Sequence, residues 1–143
     1  MSVFVAYVAT PEGRRALEVG AAEARLRGLP LHVATVFTHE VGESPTRARD
    51  DMESAEAIQQ RLDRVANELR SDGLEVSTEL LHAQFGDTTR QLLDTMRRVR
   101  AELAVVGVRR RSPVGKLVLG STSRDVILGA DCPVLAVKAE SDA

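Results

Sequence analysis

Residues 3–28 read VFVAYVATPEGRRALEVGAAEARLRG, and this stretch decides the fold class. Val3 to Val8 is a short apolar run with β-branched and aromatic residues, the pattern of a strand buried on both faces. Thr10-Pro11-Glu12-Gly13 then turns the chain and starts a helix. A Thr hydroxyl caps the free N–H groups of a first turn, and proline's fixed φ suits the first helical position. Leu17, Gly20, Ala21 and Ala24 share one helical face, and Gly28 ends the helix where a left-handed residue is wanted. A doubly buried strand followed at once by a helix is a βα unit, and successive units build a parallel sheet covered by helices on both faces.

The rest of the chain continues the alternation. Leu31 to Phe37 (LHVATVF) reads as the second strand, and Thr38 to Arg49, with Gly42, Ser44 and Pro45, as a polar loop. Asp50 to Ser71 is the longest helix, with Met52, Ala55, Ile58, Leu62, Val65 and Leu69 recurring every three or four residues. Asp50, Asp51 and Glu53 fall in its first turn, where acids suit the helix dipole, and Asp72-Gly73 closes it. Leu74 to Leu81 (LEVSTELL) alternates more, as a strand nearer a sheet edge does. Gly86-Asp87 breaks the chain, Thr88 with Gln91 resembles a capping box, and Leu92, Leu93, Met96 and Val99 form a helical stripe. Leu103 to Val106 is the fourth strand, Gly107 to about Gly120 a loop, Ser121 to Leu128 a short helix stopped by Gly129, and Pro133 to Val137 the last strand. Right-handed crossovers make this an open, doubly wound, five-stranded parallel sheet, for which the orders 3-2-1-4-5 and 2-1-3-4-5 fit the periodicity equally.

A length of 143 residues suits one domain. The net charge of −2 argues against a surface built as a whole for nucleic acid or an anionic membrane. Phe4, Tyr7, Phe37 and Phe85 are too few aromatics for a base-stacking platform. A single cysteine, Cys132, excludes a disulfide framework within the chain and a multi-cysteine zinc site. No apolar run approaches the roughly 20 residues of a membrane span, and no basic segment precedes an apolar stretch near Met1, so a soluble cytoplasmic protein without a signal peptide is expected.

Open sheets of this kind bind ligands beyond the carboxyl ends of the strands, where the winding reverses. For the 3-2-1-4-5 order this points to Val8 to Pro11 and to Gly107 to Ser123. The second connection is long against the usual range of about 2–6 residues, and it carries Arg109, Arg110, Arg111 and Lys116 with no acid. It ends in Gly120-Ser121-Thr122-Ser123 at a helix start, where free N–H groups, hydroxyls and the positive dipole end suit a phosphate. The bland alternative is that Ser121 or Ser123 merely caps the helix and the arginines are a solvated rim. The segment is not a Walker loop, since Leu117 follows Gly115-Lys116, and strand one is not followed by the glycine cluster of a dinucleotide fingerprint.

Gly107, Gly120 and Ser121 fall on the first and last positions of the pattern Gly, two residues, Gly, nine residues, Gly, Ser or Thr. With Asp131-Cys132-Pro133-Val134-Leu135-Ala136-Val137 near the end, and with Val5-Ala6-Tyr7-Val8 and Ala16-Leu17, the chain resembles the universal stress protein family over nearly its whole length. The resemblance implies the 3-2-1-4-5 order, a homodimer paired through the last strand, and a pocket for ATP or another adenine nucleotide. It maps nucleotide contacts to Tyr7, Val8, Thr10, Val36, Val106, Gly107, Arg109, Arg110, Gly120, Ser121, Thr122 and Ser123. Arg109 to Arg111 and Ser121 to Ser123 would then hold phosphates and Val36 the base. Two departures stand out: Arg110 replaces the middle glycine of the motif, and Val8 stands where ATP-binding members carry an Asp. Loss of that acid favours, as an alternative, a dimeric stress-response interaction protein that binds no nucleotide. It also leaves a weak ATPase without its obvious metal-holding carboxylate, Asp125 being a poor substitute, so no enzyme is expected.

Other residues have bland readings. His32 and His82 read as surface or satisfied edge histidines, and Cys132 as a buried structural thiol. His39 with Glu40 and Glu43 makes a weak metal motif in a loop, and Asp87-Thr88-Thr89 reads as helix capping.

Overall fold

A computed structural model describes residues 1–39, 54–84, 86–110, 117–118 and 120–139. Strand β1 (Ser2–Ala6) lies inside the sheet because its side chains bury on both faces: Val3, Phe4 and Val5 are wholly enclosed. It pairs in parallel with β2 (Leu31–His39) on one side and β4 (Ala101–Arg110) on the other. Beyond these, β3 (Val76–Gln84) pairs with β2, and β6 (Val134–Lys138) pairs with β4, both in parallel. A two-residue strand, β5 (Leu117–Val118), runs antiparallel to the far end of β4. The parallel strands stand in the order β3-β2-β1-β4-β6, which is 3-2-1-4-5 over the five of them and selects one of the two orders that periodicity left open. The alternating strand is at an edge, as its pattern implied.

Four helices cover the sheet among the described residues: α1 (Pro11–Arg27), α2 (Ala55–Ser71), α3 (Thr88–Arg98) and α4 (Ser121–Gly129). Because side chains alternate along each strand, the sheet feeds two cores. Val3, Val5, Leu31, Val33 and Val105 meet Ala16 and Ala24 of α1 and Leu62 and Ala66 of α2. Phe4, Ala34, Ala104 and Val106 meet Leu92 and Met96 of α3 and Val126 of α4. Gly20 is required where α1 crosses the sheet, since a Cβ there would lie 2.3 Å from Val5 Cγ2. Thr10 caps α1 by accepting the Gly13 N–H at 3.1 Å, and Gly28 ends it at φ 65°.

Several boundaries move. Strand β1 stops at Ala6, where Tyr7 N–H still reaches Ala34 O at 2.8 Å before the chain bends and Val8 O accepts from Thr10 N–H. Strand β2 keeps pairing with β3 through Thr38 and His39, so these residues are strand and not loop. Strand β4 runs on to Arg110 because β6 pairs with it as far as Val108 and β5 takes over at Arg109 and Arg110. Gly107 to Arg110 are therefore strand, and the loop reading was wrong there. The expected capping box at Thr88 does not form: Asp87 is the N-cap, and its carboxylate takes Arg90 at 2.7 Å instead of a helix N–H. Helix α4 is capped by Gly120, so Ser121 and Ser123 are inside the helix and neither is the cap. Helix α2 is described from its cap Ser54, whose hydroxyl accepts Ala57 N–H; Asp50, Asp51, Met52 and Glu53 lie outside the described residues. His32 is no surface residue. It lies on inner strand β2, stacks on Phe4, and has a buried Nε2 that stands 3.6 Å from Glu79 Oε2, beyond hydrogen-bond reach. Glu79 is tied instead to Arg98.

Candidate functional site

The chain leaves β1 toward α1, which packs on one face of the sheet, and leaves β4 toward α4, which packs on the other. The carboxyl ends of β1 and β4 are neighbours, so the two connections diverge and open a crevice between them. A cavity of about 220 Å³ sits there. Its floor is Ala6, Ala34, Val36, Leu92, Val106 and Val126, all apolar; its rim carries Thr38, Thr88, Thr122 and Ser123. A second, more polar cavity of about 360 Å³ shares Thr38, Thr88 and Thr122 with it and adds Thr89, Ser121 and Asp125.

The twelve residues singled out in the sequence divide clearly. Tyr7, Val8, Val36, Val106, Gly107, Thr122 and Ser123 line the first cavity, and Ser121 lines the adjoining one. Tyr7 is buried, and its carbonyl accepts the Thr35 hydroxyl at 2.8 Å. Val8 is 50% exposed at the rim and offers no polar side-chain atom. Ser123 Oγ donates to Gly107 O at 3.3 Å, joining α4 to β4. Thr10 does not line the cavity; its hydroxyl is engaged in capping α1. Gly120 is the N-cap of α4. Arg109 turns toward α1, where its Nε lies 3.2 Å from Glu12 Oε1. The backbone of Arg110 stands opposite Leu117 at the end of β4; its side chain, like Arg111 and Lys116, lies outside the described residues.

Glu12 explains the turn of Arg109. Burial alone raises the Glu12 pKa, but its own backbone N–H, the Thr10 hydroxyl and the Arg109 guanidinium outweigh burial and hold the carboxyl below its usual range. An ionised Glu12 at neutral pH thus neutralises one cation of the basic stretch. The same contact gives Gly107 its role. A Cβ at Gly107 would lie 2.7 Å from Glu12 O, so glycine lets β4 and the first turn of α1 close together. At Gly120 a Cβ would meet nothing within 4 Å among the described residues, so their packing does not demand glycine there.

Sequence reasoning did not single out Ala6, Ala34, Thr38, Thr88, Leu92 or Val126 as part of the cavity. Thr38 and Thr88 carried a usable signal: once the order is 3-2-1-4-5, the carboxyl end of β2 and the start of α3 must face the same end of the sheet as Val8 and Gly107. Among the described residues, no group of three or more His, Cys, Asp and Glu side chains is placed to hold a metal ion. The His39, Glu40 and Glu43 motif lies outside the residues whose side chains are described. Asp125 faces the second cavity and pairs with Arg124 at 3.6 Å. No described helix is long and apolar enough to cross a membrane.

An open doubly wound sheet with an apolar, hydroxyl-rimmed crevice at its switch point is the architecture of small-ligand-binding α/β proteins. The family model described as the Universal stress protein family matches residues 1–138, and the chain belongs to that family. It is 37% identical over 137 residues to a universal stress protein of Mycolicibacterium smegmatis, covering 95% of this chain and 96% of that one. Among solved structures, a universal stress protein from Archaeoglobus fulgidus is 32% identical with a TM-score of 0.68, covering 96% of this chain and 98% of that one. A universal stress protein from the same organism, solved in complex with dAMP, is 26% identical with a TM-score of 0.61 at the same coverage.

Proposed function

We propose that the chain is a single-domain adenine-nucleotide-binding module of the stress response, acting by binding and not by catalysis. The observation that carries this is the junction of the two cavities: an apolar slot beneath Val36 and Val106 opens directly onto the hydroxyls of Thr122 and Ser123 in the first turn of α4. The slot alone, at about 220 Å³, is smaller than the range of roughly 300–1,000 Å³ typical of ligand sites, but it adjoins a second cavity through three shared residues. A flat base fits the slot and a ribose phosphate fits the hydroxyl-lined part. The dAMP complex of the Archaeoglobus fulgidus relative supports the ligand class. ATP is a triphosphate of the same adenine-nucleotide class, and Arg110, Arg111 and Lys116, in the connection from β4 to α4, are the cations assigned to its outer phosphates. Val8 leaves no carboxylate at the end of β1, so anchoring of the ribose and first phosphate falls to the hydroxyls and backbone N–H groups at the start of α4.

Isothermal titration tests this. ATP and AMP should each bind, and both should weaken in Ser121→Ala, while Arg110→Glu should weaken ATP more than AMP. No heat with any adenine nucleotide at millimolar concentration overturns the reading.

Val8, half exposed at the rim, favours a second reading: a homodimer in the cytoplasm, paired through β6, that binds a protein partner without nucleotide. Native mass spectrometry of gently purified protein separates the two. A retained nucleotide supports the first, and a ligand-free dimer the second.

A further inference from the structure

The opposite end of the sheet holds a cavity of about 270 Å³, between the carboxyl ends of α3 and α4 and the amino ends of β4 and β6. Its inner wall is Leu93, Met96, Ala101 and Cys132, and Arg97, Arg100 and Asp131 stand around it. Arg97 stands between Asp94 at 3.3 Å and Asp131 at 2.9 Å, so its guanidinium is fully engaged and those three side chains together carry one net negative charge. Arg100 has no hydrogen-bond or ion-pair partner for its guanidinium among the described residues.

The backbone of Arg100 is the second observation. It has φ 52°, the left-handed region, and no other non-glycine residue among the described ones does. At the corresponding place after α2 the chain uses Gly73, which makes the same closing bond: Gly73 N–H to Arg70 O at 2.9 Å, Arg100 N–H to Arg97 O at 3.1 Å. A Cβ in this conformation carries a steric penalty that glycine avoids. Arginine at this position therefore works against local stability, and its visible gain is a free guanidinium beside an apolar cavity.

We propose that this cavity binds a small organic acid, with its apolar body against Leu93 and Met96 and its carboxylate on Arg100. At the two helix ends three carbonyls are occupied, Thr95 O by Val99 N–H, Arg97 O by Arg100 N–H and Val126 O by Ala130 N–H, which lessens their opposition to an anion. A cavity of about 150 Å³ accepts benzene, so this one has room for a ring or short chain with a charged substituent. Asp131 is held by Arg97 at 2.9 Å, so an amine there has to compete with that guanidinium. The site lies at the other end of the strands from the proposed nucleotide crevice and does not depend on it.

The test follows the methyl group of Met96, one of three methionines in the chain, by carbon-13 NMR during titration with phenylacetate. The resonance should move saturably, and phenylacetamide and phenethylamine, of the same shape but neutral or positive, should bind more weakly. Arg100→Gln should lose affinity roughly ten- to a hundredfold, the effect of removing one hydrogen bond to a charged group. Arg100→Gly should lose binding likewise while melting at the same or a higher temperature than the parent. An unmoved Met96 resonance at millimolar phenylacetate, equal binding by Arg100→Gln, or tighter binding of phenethylamine overturns the proposal. So does a large fall in melting temperature in Arg100→Gly, which would make Arg100 a structural residue.

Discussion

Substituting Gly107 by alanine separates packing from ligand contact at the first motif glycine. The added Cβ would stand 2.7 Å from Glu12 O and 2.8 Å from its carbonyl carbon, and 3.1 Å from Glu12 Cγ. The first two are backbone atoms, which no rotamer change can remove. Restoring ordinary contact requires the first turn of α1 to retreat by roughly 0.7 Å, a shift that close-packed interiors resist. That turn is held by the Thr10 cap and by the Glu12–Arg109 pair, so both are disturbed with it. Overpacking of this kind costs about 1–3 kcal/mol, or roughly 2–12 °C of melting temperature for a chain of this size. Gly120→Ala is the control: φ is −61°, and the new methyl meets nothing within 4 Å among the described residues. Its stability should stay within about 1 kcal/mol of the parent, because alanine is a poorer N-cap but stiffens the unfolded chain. Urea unfolding at constant pH, with no nucleotide present, measures both. If Gly107→Ala is as stable as the parent, or if Gly120→Ala loses more than Gly107→Ala, the packing assignment is refuted.

Two further outcomes are expected. Removing the α1 cap by Thr10→Ala should lower stability by about 0.5–2 kcal/mol, and Thr10→Ser should recover most of it; equal loss in both variants would show that the hydroxyl is not the reason. Burial lowers the His32 pKa from its ordinary value of 6.5 despite the nearby Glu79. The unfolded chain then takes up a proton at His32 before the folded protein does, so stability is full above about pH 6.5 and falls as pH drops through that value toward the folded pKa. Urea midpoints of the parent and His32→Asn between about pH 7.5 and 5.5 should converge on acidification; a constant gap between them would refute the assignment.

The sequence was most legible where one local rule acted alone. Residues 3–28 carried a buried strand, a Thr-Pro helix start, a small-residue face and a terminal glycine, and each is present within two residues of its expected place. Strand order was not legible from periodicity, because both common orders use the same alternation; the motif resemblance implied the right one. Errors clustered where pairing overrides local polarity. Arg109 and Arg110 look like loop, yet β5 supplies them with a ladder. His32 looks polar enough for the surface, yet its flat ring stacks on Phe4 and its strand lies inside the sheet. At the crevice, residues close to the motif were named, while Thr38 and Thr88 were missed because only the folded sheet brings them near Gly107. The Arg109–Glu12 pair was not legible for a similar reason: its members stand 97 positions apart.

The close seating of β4 on α1 makes the crevice asymmetric in stiffness. On one side, Gly107 against Glu12 and the Arg109–Glu12 pair clamp two elements together without a gap. On the other, the polar fastening of α4 to the same strand among the described residues is a single 3.3 Å hydroxyl bond from Ser123. Under the proposed function, the crevice is a vice with one fixed jaw: the nucleotide is registered against the β1–β4 side, and tolerance for a bulkier guest is set by how far α4 yields.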